Sequence, residues 1–99
     1  MIRANIKRTD LGHYEVSGEL VFDAVVALLD SSKPFFDGKS DLLFNLKQVD
    51  KTDSAGLALL VEWTRIAKHK KQEINFCDLP KQLLDIARVS GLDELLPIV

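Results

Sequence analysis

Residues 50–60 read Asp50-Lys51-Thr52-Asp53-Ser54-Ala55-Gly56-Leu57-Ala58-Leu59-Leu60. This stretch passes from a polar turn directly into an apolar helix, and it follows the apolar run at 41–46. From Ser54 to about His69, apolar residues recur at intervals of three and four, which predicts an amphipathic helix of about four turns. Residues 73–77 then alternate in polarity. The three segments therefore predict a strand, helix, strand unit with parallel strands and a right-handed crossover.

The remaining segments predict a small mixed sheet around this unit. Residues 2–8 and 14–20 alternate as two strands of a hairpin, and the run at 41–46 has the composition of a central strand covered on both faces. A short helix is expected over 23–29 with Asp23 as its cap, and Pro80 opens a further helix that ends near Gly91. Residues 93–96 form a last short turn. We therefore expect an α/β fold, a single domain over 1–99 with about four strands and three to four helices.

Composition narrows the possible partners. The 99 residues are 46% apolar with a formal net charge of -2, so no basic field favours nucleic acid. The basic cluster at 68–71 is interpreted as a solvated helix end. No stretch approaches the roughly 20 apolar residues that span a bilayer, and the single Cys77 has no partner for an internal disulfide. We expect a soluble, cytoplasmic protein without direct membrane insertion.

The turn before the long helix lies where ligand sites form in α/β sheets, at the carboxyl end of a strand. Asp50 and Asp53 would repel a phosphate, and no P-loop lysine is present, so nucleotide binding is not expected. One of Asp53 and Ser54 is expected to be the N-cap. Gly56 lowers the stability of a helix by up to about 1 kcal/mol relative to alanine. Its presence in the first turn therefore suggests close approach by a partner or close packing on the sheet.

Other reactive residues predict structural roles. His13 and His69 lack neighbouring ligands at metal-binding spacing, so neither a metal nor a cofactor is expected. Cys77 is interpreted as a small core residue, and an enzyme would require it to meet a histidine. Trp63 lies on the apolar stripe of the long helix, and Phe35-Phe36 predicts a loop lid over the core, with one ring exposed as the alternative.

Several motifs resemble the STAS family, whose members include anti-sigma-factor antagonists and accessory subunits of bacterial transporters. They are Val16-Ser-Gly-Glu-Leu20, Asp53-Ser54-Ala55-Gly56, and Leu79-Pro80 through Gly91-Leu92, so the resemblance covers almost the whole chain. Ser54 matches the position that the antagonists use as a phosphorylation site. MlaB-type members often carry threonine at this position, and sigma-pathway antagonists carry serine.

Within the family, the stretch from Gly56 to Leu60, the following basic residues and the ending Leu95-Leu-Pro97 look most like the MlaB-type subunit. This resemblance implies a non-catalytic subunit that binds and supports the ATPase of an ABC transporter for phospholipid trafficking and outer-membrane lipid asymmetry. Such a subunit is expected at the inner face of the inner membrane, held there by its partner. The alternative is an anti-sigma-factor antagonist whose partner is an anti-sigma factor with serine kinase activity.

The expected docking surface consists of the turn and the first turns of the long helix: Lys51, Thr52, Asp53, Ser54, Ala55, Gly56, Leu57, Ala58 and Val61. Phosphorylation of Ser54 would add about -1.5 to -2 charges there. A partner surface fitted to a neutral hydroxyl would then be repelled. Without phosphorylation, the same surface is expected to serve as a permanent contact.

Overall fold

A computed structural model describes residues 3–99, and its elements follow the predicted order. They are β1 (Ala4–Asp10), β2 (His13–Leu20), α1 (Phe22–Ser32), a 3-10 turn (Lys33–Phe35), β3 (Leu42–Thr52), α2 (Ser54–His69), β4 (Ile74–Cys77) and α3 (Lys81–Val89). The first residue of the strand predicted over 2–8 lies outside the described residues. Within residues 3–99, none of the helices combines the length and apolar character that crossing a membrane requires.

The sheet has the order β1-β2-β3-β4 and is mixed, as predicted. β1 pairs with β2 in antiparallel fashion, whereas β3 is parallel to both of its neighbours. The parallel β3-α2-β4 unit is confirmed, and β3 is an internal strand.

Only one face of the sheet is buried, so the prediction that the central strand is covered on both faces is wrong. Ile6 pairs with Val16, and Phe44 with Phe76, and all four side chains are buried together against the helices. The opposite face carries a partly exposed polar row in register: Lys7, Glu15, Asn45 and Cys77. Leu43, which continues the apolar run, is only half-buried.

β3 is longer than predicted, because residues 47–52 continue as strand instead of forming a turn. They pair with the second half of β2, where Gly18 lies opposite Val49 and Leu20 opposite Thr52. Val49 and Thr52 are buried, and the polar residues between them face solvent. The polar character of 47–51 therefore reflects the exposed side of a strand.

Helix α1 also differs from its predicted form. It begins at Phe22, one residue before Asp23, and extends to Ser32. Asp23 is therefore inside the first turn, and the prediction that it caps the helix is wrong. The N-cap position is Val21, whose side chain cannot accept a hydrogen bond.

The core is centred on Trp63, which is fully buried as predicted. Its indole Nε1 donates to Ser32 Oγ at 2.7 Å, joining α2 to the end of α1. Phe36 is buried, and Phe35 is half-buried with its ring 4.3 Å from that of Tyr14. Both rings thus close over the core, which agrees with the predicted lid.

The C-terminal segment ends α3 and then reaches the edge of the sheet. Gly91 adopts φ +72°, and the N–H of Leu92 donates to the carbonyl of Ala87, the arrangement of a Schellman cap. Residues 93–95 form a turn, and Ile98 then pairs in parallel with Phe76 of β4.

Candidate functional site

Asp53 caps two helices at once. Its Oδ1 accepts the N–H of Ala55 at 2.8 Å, which caps α2, and its Oδ2 accepts the N–H of Phe22 at 3.3 Å, at the start of α1. Its own N–H donates to the carbonyl of Leu20. The predicted choice between Asp53 and Ser54 is therefore resolved in favour of Asp53, and this carboxylate fixes the two helix N-termini side by side.

Ser54 is the first residue of α2 and is exposed. Its hydroxyl makes no hydrogen bond to the protein within residues 3–99. The dipole of α2 gives this end of the helix partial positive charge, which favours an added negative group. Asp53 beside it would oppose such a group. The hydroxyl is therefore accessible both to a partner and to a modifying enzyme.

Three residues of the expected docking surface are buried in this structure: Thr52, Gly56 and Leu57. A Cβ on Gly56 would collide with Thr52 Oγ1 and would lie 3.0 Å from the carbonyl oxygen of Leu20. Thr52 Oγ1 itself donates to that carbonyl at 3.2 Å. Close packing on the sheet, rather than a partner, thus explains the glycine, and these residues support the site from beneath.

The other predicted residues remain accessible. Ser54, Ala58 and Val61 follow one another on the exposed stripe of α2, Lys51 is exposed at the end of β3, and Ala55 is half-buried. Asp53 is half-buried because it is occupied in capping. The structure therefore keeps six of the nine residues at the surface: Lys51, Asp53, Ser54, Ala55, Ala58 and Val61.

The surface next to these residues includes part of α1, which the sequence analysis did not predict to be exposed. Phe22 and Val26 of α1 are 77% and 75% exposed, although both are large and apolar. With α2 they line a groove of about 410 Å³ that also contains Ser54, Ala58 and Leu59. We call Phe22, Val26, Ser54, Ala58 and Val61 the docking face.

The sequence of α1 does contain an indication of this exposed apolar side. Its residues 24–29 are all apolar, whereas a helix that packs on one side has polar residues on the other. An excess of apolar residues on a surface helix indicates a second, unoccupied apolar side.

Charged pairs border the far side of the groove. Arg65 donates to both carboxylate oxygens of Glu62, at 2.8 and 2.7 Å, and these hydrogen bonds lower the pKa of Glu62. Lys33 lies 3.4 Å from Asp30. At least one side chain of each pair is exposed, so each pair contributes little to stability. A partner's charged side chains can therefore replace these ion pairs with ion pairs of their own.

The surroundings of Cys77 do not activate its thiol. Cys77 is half-buried on the polar face of the sheet rather than in the core, and burial, followed by the charge of Asp78, raises the pKa of its thiol. A raised pKa disfavours the thiolate that nucleophilic chemistry needs. Within residues 3–99, no group of three or more His, Cys, Asp or Glu side chains is arranged to hold a metal ion.

A comparison of the sequence with models of known protein families identifies the family of this chain. The family model described as "Mlab, STAS domain" matches residues 9–97, nearly the entire chain. The chain belongs to this family of STAS domains. The family predicted from the Asp53-Ser54-Ala55-Gly56 turn is therefore confirmed, and STAS domains are in general protein-interaction modules. No curated protein matches this STAS domain in sequence.

Several solved structures share its fold, and two of them are structures of SpoIIAA. The anti-sigma factor antagonist SpoIIAA in its unphosphorylated form has a TM-score of 0.73 and 14% identity, over 97% of this chain and 85% of that chain. The Bacillus cell fate determinant SpoIIAA in the phosphorylated form has a TM-score of 0.69 and 17% identity, over 97% of this chain and 88% of that chain. At these identities the likeness establishes the fold alone, and the predicted STAS-like architecture is confirmed.

Proposed function

We propose that this STAS domain is a non-catalytic subunit that binds the ATPase of an ABC transporter for phospholipids and supports its assembly and activity. The observation that carries the proposal is the docking face, an exposed apolar surface around the Ser54 hydroxyl in a chain of the MlaB-type family. By this proposal the domain works in the cytoplasm, at the inner face of the inner membrane, and contributes to outer-membrane lipid asymmetry.

Physical chemistry supports binding at this surface. Phe22 and Val26 keep most of their area in water in the isolated chain, and burying such area contributes about 25 cal/mol per Å². Large exposed aromatic and aliphatic side chains are the usual energetic centres of protein interfaces. The ATPase would be stabilised by mass action, because the subunit binds its folded state.

The test is affinity purification of this STAS domain from its native cells, with the bound proteins identified by mass spectrometry. Wild type is expected to recover the ATPase and its permease. Val26→Asp should abolish recovery, because it places a charge in the docking face without touching the core. Val89→Asp is the matched control, since Val89 is 90% exposed but lies on α3. Absence of any transporter ATPase from the wild-type sample would refute the proposal.

A second candidate function is favoured by one observation, the exposed and unbonded Ser54 hydroxyl at the positive end of α2. In an anti-sigma-factor antagonist, a serine kinase would phosphorylate this hydroxyl and the charge would release the partner. Ser54→Asp should then weaken partner binding. Equal binding by Ser54→Asp and wild type would exclude this switch.

The state of Ser54 in native protein separates the two functions. Unmodified Ser54 throughout a membrane-associated complex supports the transporter role. A phosphorylated fraction, together with recovery of a serine kinase, supports the antagonist role.

A further inference from the structure

We infer that the space between α1 and α2 binds a helical segment of the partner with apolar side chains at one end and acidic side chains at the other. This inference rests on the proposed function and specifies what the docking face recognises. It follows from the shape, length and charge of this space.

The groove continues along the whole of α2. At Leu29 and Glu62 it meets a second depression of about 420 Å³, lined further by Lys33, Arg65 and Lys70. From Ser54 to Lys70 the helix rises by about 24 Å, at about 1.5 Å per residue. A partner helix of about 16 residues would fill this length, and laying an amphipathic helix into a groove is a common recognition mode.

The end near Ser54 is apolar and shallow. Phe22 and Val26 form one wall, and the small side chains of Ala55 and Ala58 form the other. Small residues allow a second helix to approach closely, while the exposed aromatic ring can pack between its side chains. Leucine, isoleucine or phenylalanine side chains suit this end of the groove.

The other end is basic. Lys33, Arg65 and Lys70 line it. Arg65 is paired with Glu62 and Lys33 with Asp30, but Lys70 has no ion-pair partner among residues 3–99. The excess positive charge is complementary to carboxylates, and such complementarity fixes the direction in which a segment binds.

An anionic phospholipid has related chemistry, but the shape favours a peptide. The apolar end lies open between two surface helices, so an acyl chain placed there would keep much of its area in water. A protein partner brings its own surface to cover the exposed sides of Phe22 and Val26. We therefore assign the groove to a segment of the partner protein.

Photo-crosslinking in native cells tests this assignment. Benzoylphenylalanine is placed at Val26, at Lys70 and, as a control outside the groove, at Val89. Adducts from Val26 and Lys70 are expected on one partner segment, within about 16 residues of each other, with the Lys70 adduct beside acidic residues. Adducts on unconnected segments, on a lipid, or identical to those of Val89 would overturn the inference.

Charge reversal provides a second test on the purified complex. Lys70→Glu should weaken partner binding by about tenfold at low salt, and the difference should shrink as salt is raised. Lys47→Glu is the matched control, because Lys47 is exposed on β3. Equal binding by the two variants would contradict the inference. If Lys70→Glu recovers the ATPase with the same affinity as wild type, the groove assignment alone is refuted. If wild type itself does not recover the ATPase, the proposed function is refuted.

Discussion

Asp53 is the residue with the most structural consequences, because its one carboxylate serves the starts of both α1 and α2 and reaches Phe22, 31 residues earlier in the chain. An N-cap acceptor typically contributes about 0.5 to 2 kcal/mol. Removing it exposes the N–H of Phe22 and the N–H of Ala55 together. The position of the α1 start against α2, and hence the apolar end of the groove, depends on this side chain.

We predict that Asp53→Ala lowers the free energy of unfolding by about 2 kcal/mol, the upper end of the range for a single cap. Asp53→Asn should recover about half of the loss, since its amide oxygen can still accept one N–H. Urea denaturation measures both, and amide hydrogen exchange should accelerate at Phe22 and Ala55. Asp50→Ala is the control, because Asp50 is an exposed acid three residues away. An equal effect of Asp53→Ala and Asp50→Ala would show that the double cap is absent.

At the scale of elements, α2 is the helix whose bounds the sequence pattern predicts fully. Its apolar stripe has a polar side opposite, and Asp53 precedes it as a cap. The pattern fails for α1, because its apolar residues point both to the core and to the groove. It also fails for the end of β3, because pairing with β2 is not visible in residues 47–51 alone.

The residues of the candidate site also fall into two groups, those that local sequence patterns predict and those that they do not. Ser54 and its exposed neighbours follow from helical spacing, whereas the burial of Thr52 and Gly56 depends on Leu20, more than 30 residues away in sequence. The contribution of Phe22 likewise requires the packing of α1 against α2. Contacts between distant segments are therefore what local patterns cannot predict.

The pairing of Trp63 with Ser32 joins these two helices at their other end. Ser32 is completely buried, and its hydroxyl accepts from the indole and donates to the carbonyl of Leu29. We predict that Ser32→Ala destabilises the domain by about 1 to 3 kcal/mol, because the indole N–H is left in the core without an acceptor. Ser31→Ala, at an exposed position one residue earlier, should change stability by less than about 0.5 kcal/mol.

Denaturation followed by the fluorescence of Trp63, the single tryptophan, measures both serine variants. Loss of the indole hydrogen bond should also shift the native emission of Ser32→Ala relative to Ser31→Ala. Equal stability and emission of the two variants would contradict a role for Ser32 in holding the helices together.

At the scale of the whole molecule, the two edges of the sheet are protected in different ways. The outer strand β1 exposes the charged residues Lys7 and Arg8, which discourage pairing with another sheet. β4 is short and is covered at Phe76 by the C-terminal segment. The N–H of Phe76 donates to the carbonyl of Pro97, and the N–H of Val99 donates to the carbonyl of Phe76, both at 2.9 Å.

We predict that a chain ending at Leu96 is less stable by at least about 1 to 3 kcal/mol, the net contribution of two backbone hydrogen bonds, because it also loses the half-buried Ile98 that packs against the core. It should also associate with itself as its concentration rises, because the backbone groups of Phe76 become available to a second sheet edge. Light scattering during size-exclusion chromatography measures the association, and urea denaturation measures the stability. Val99→Ser keeps both backbone bonds and should behave as wild type. A shortened chain that stays monomeric and equally stable would show that the segment does not protect the edge.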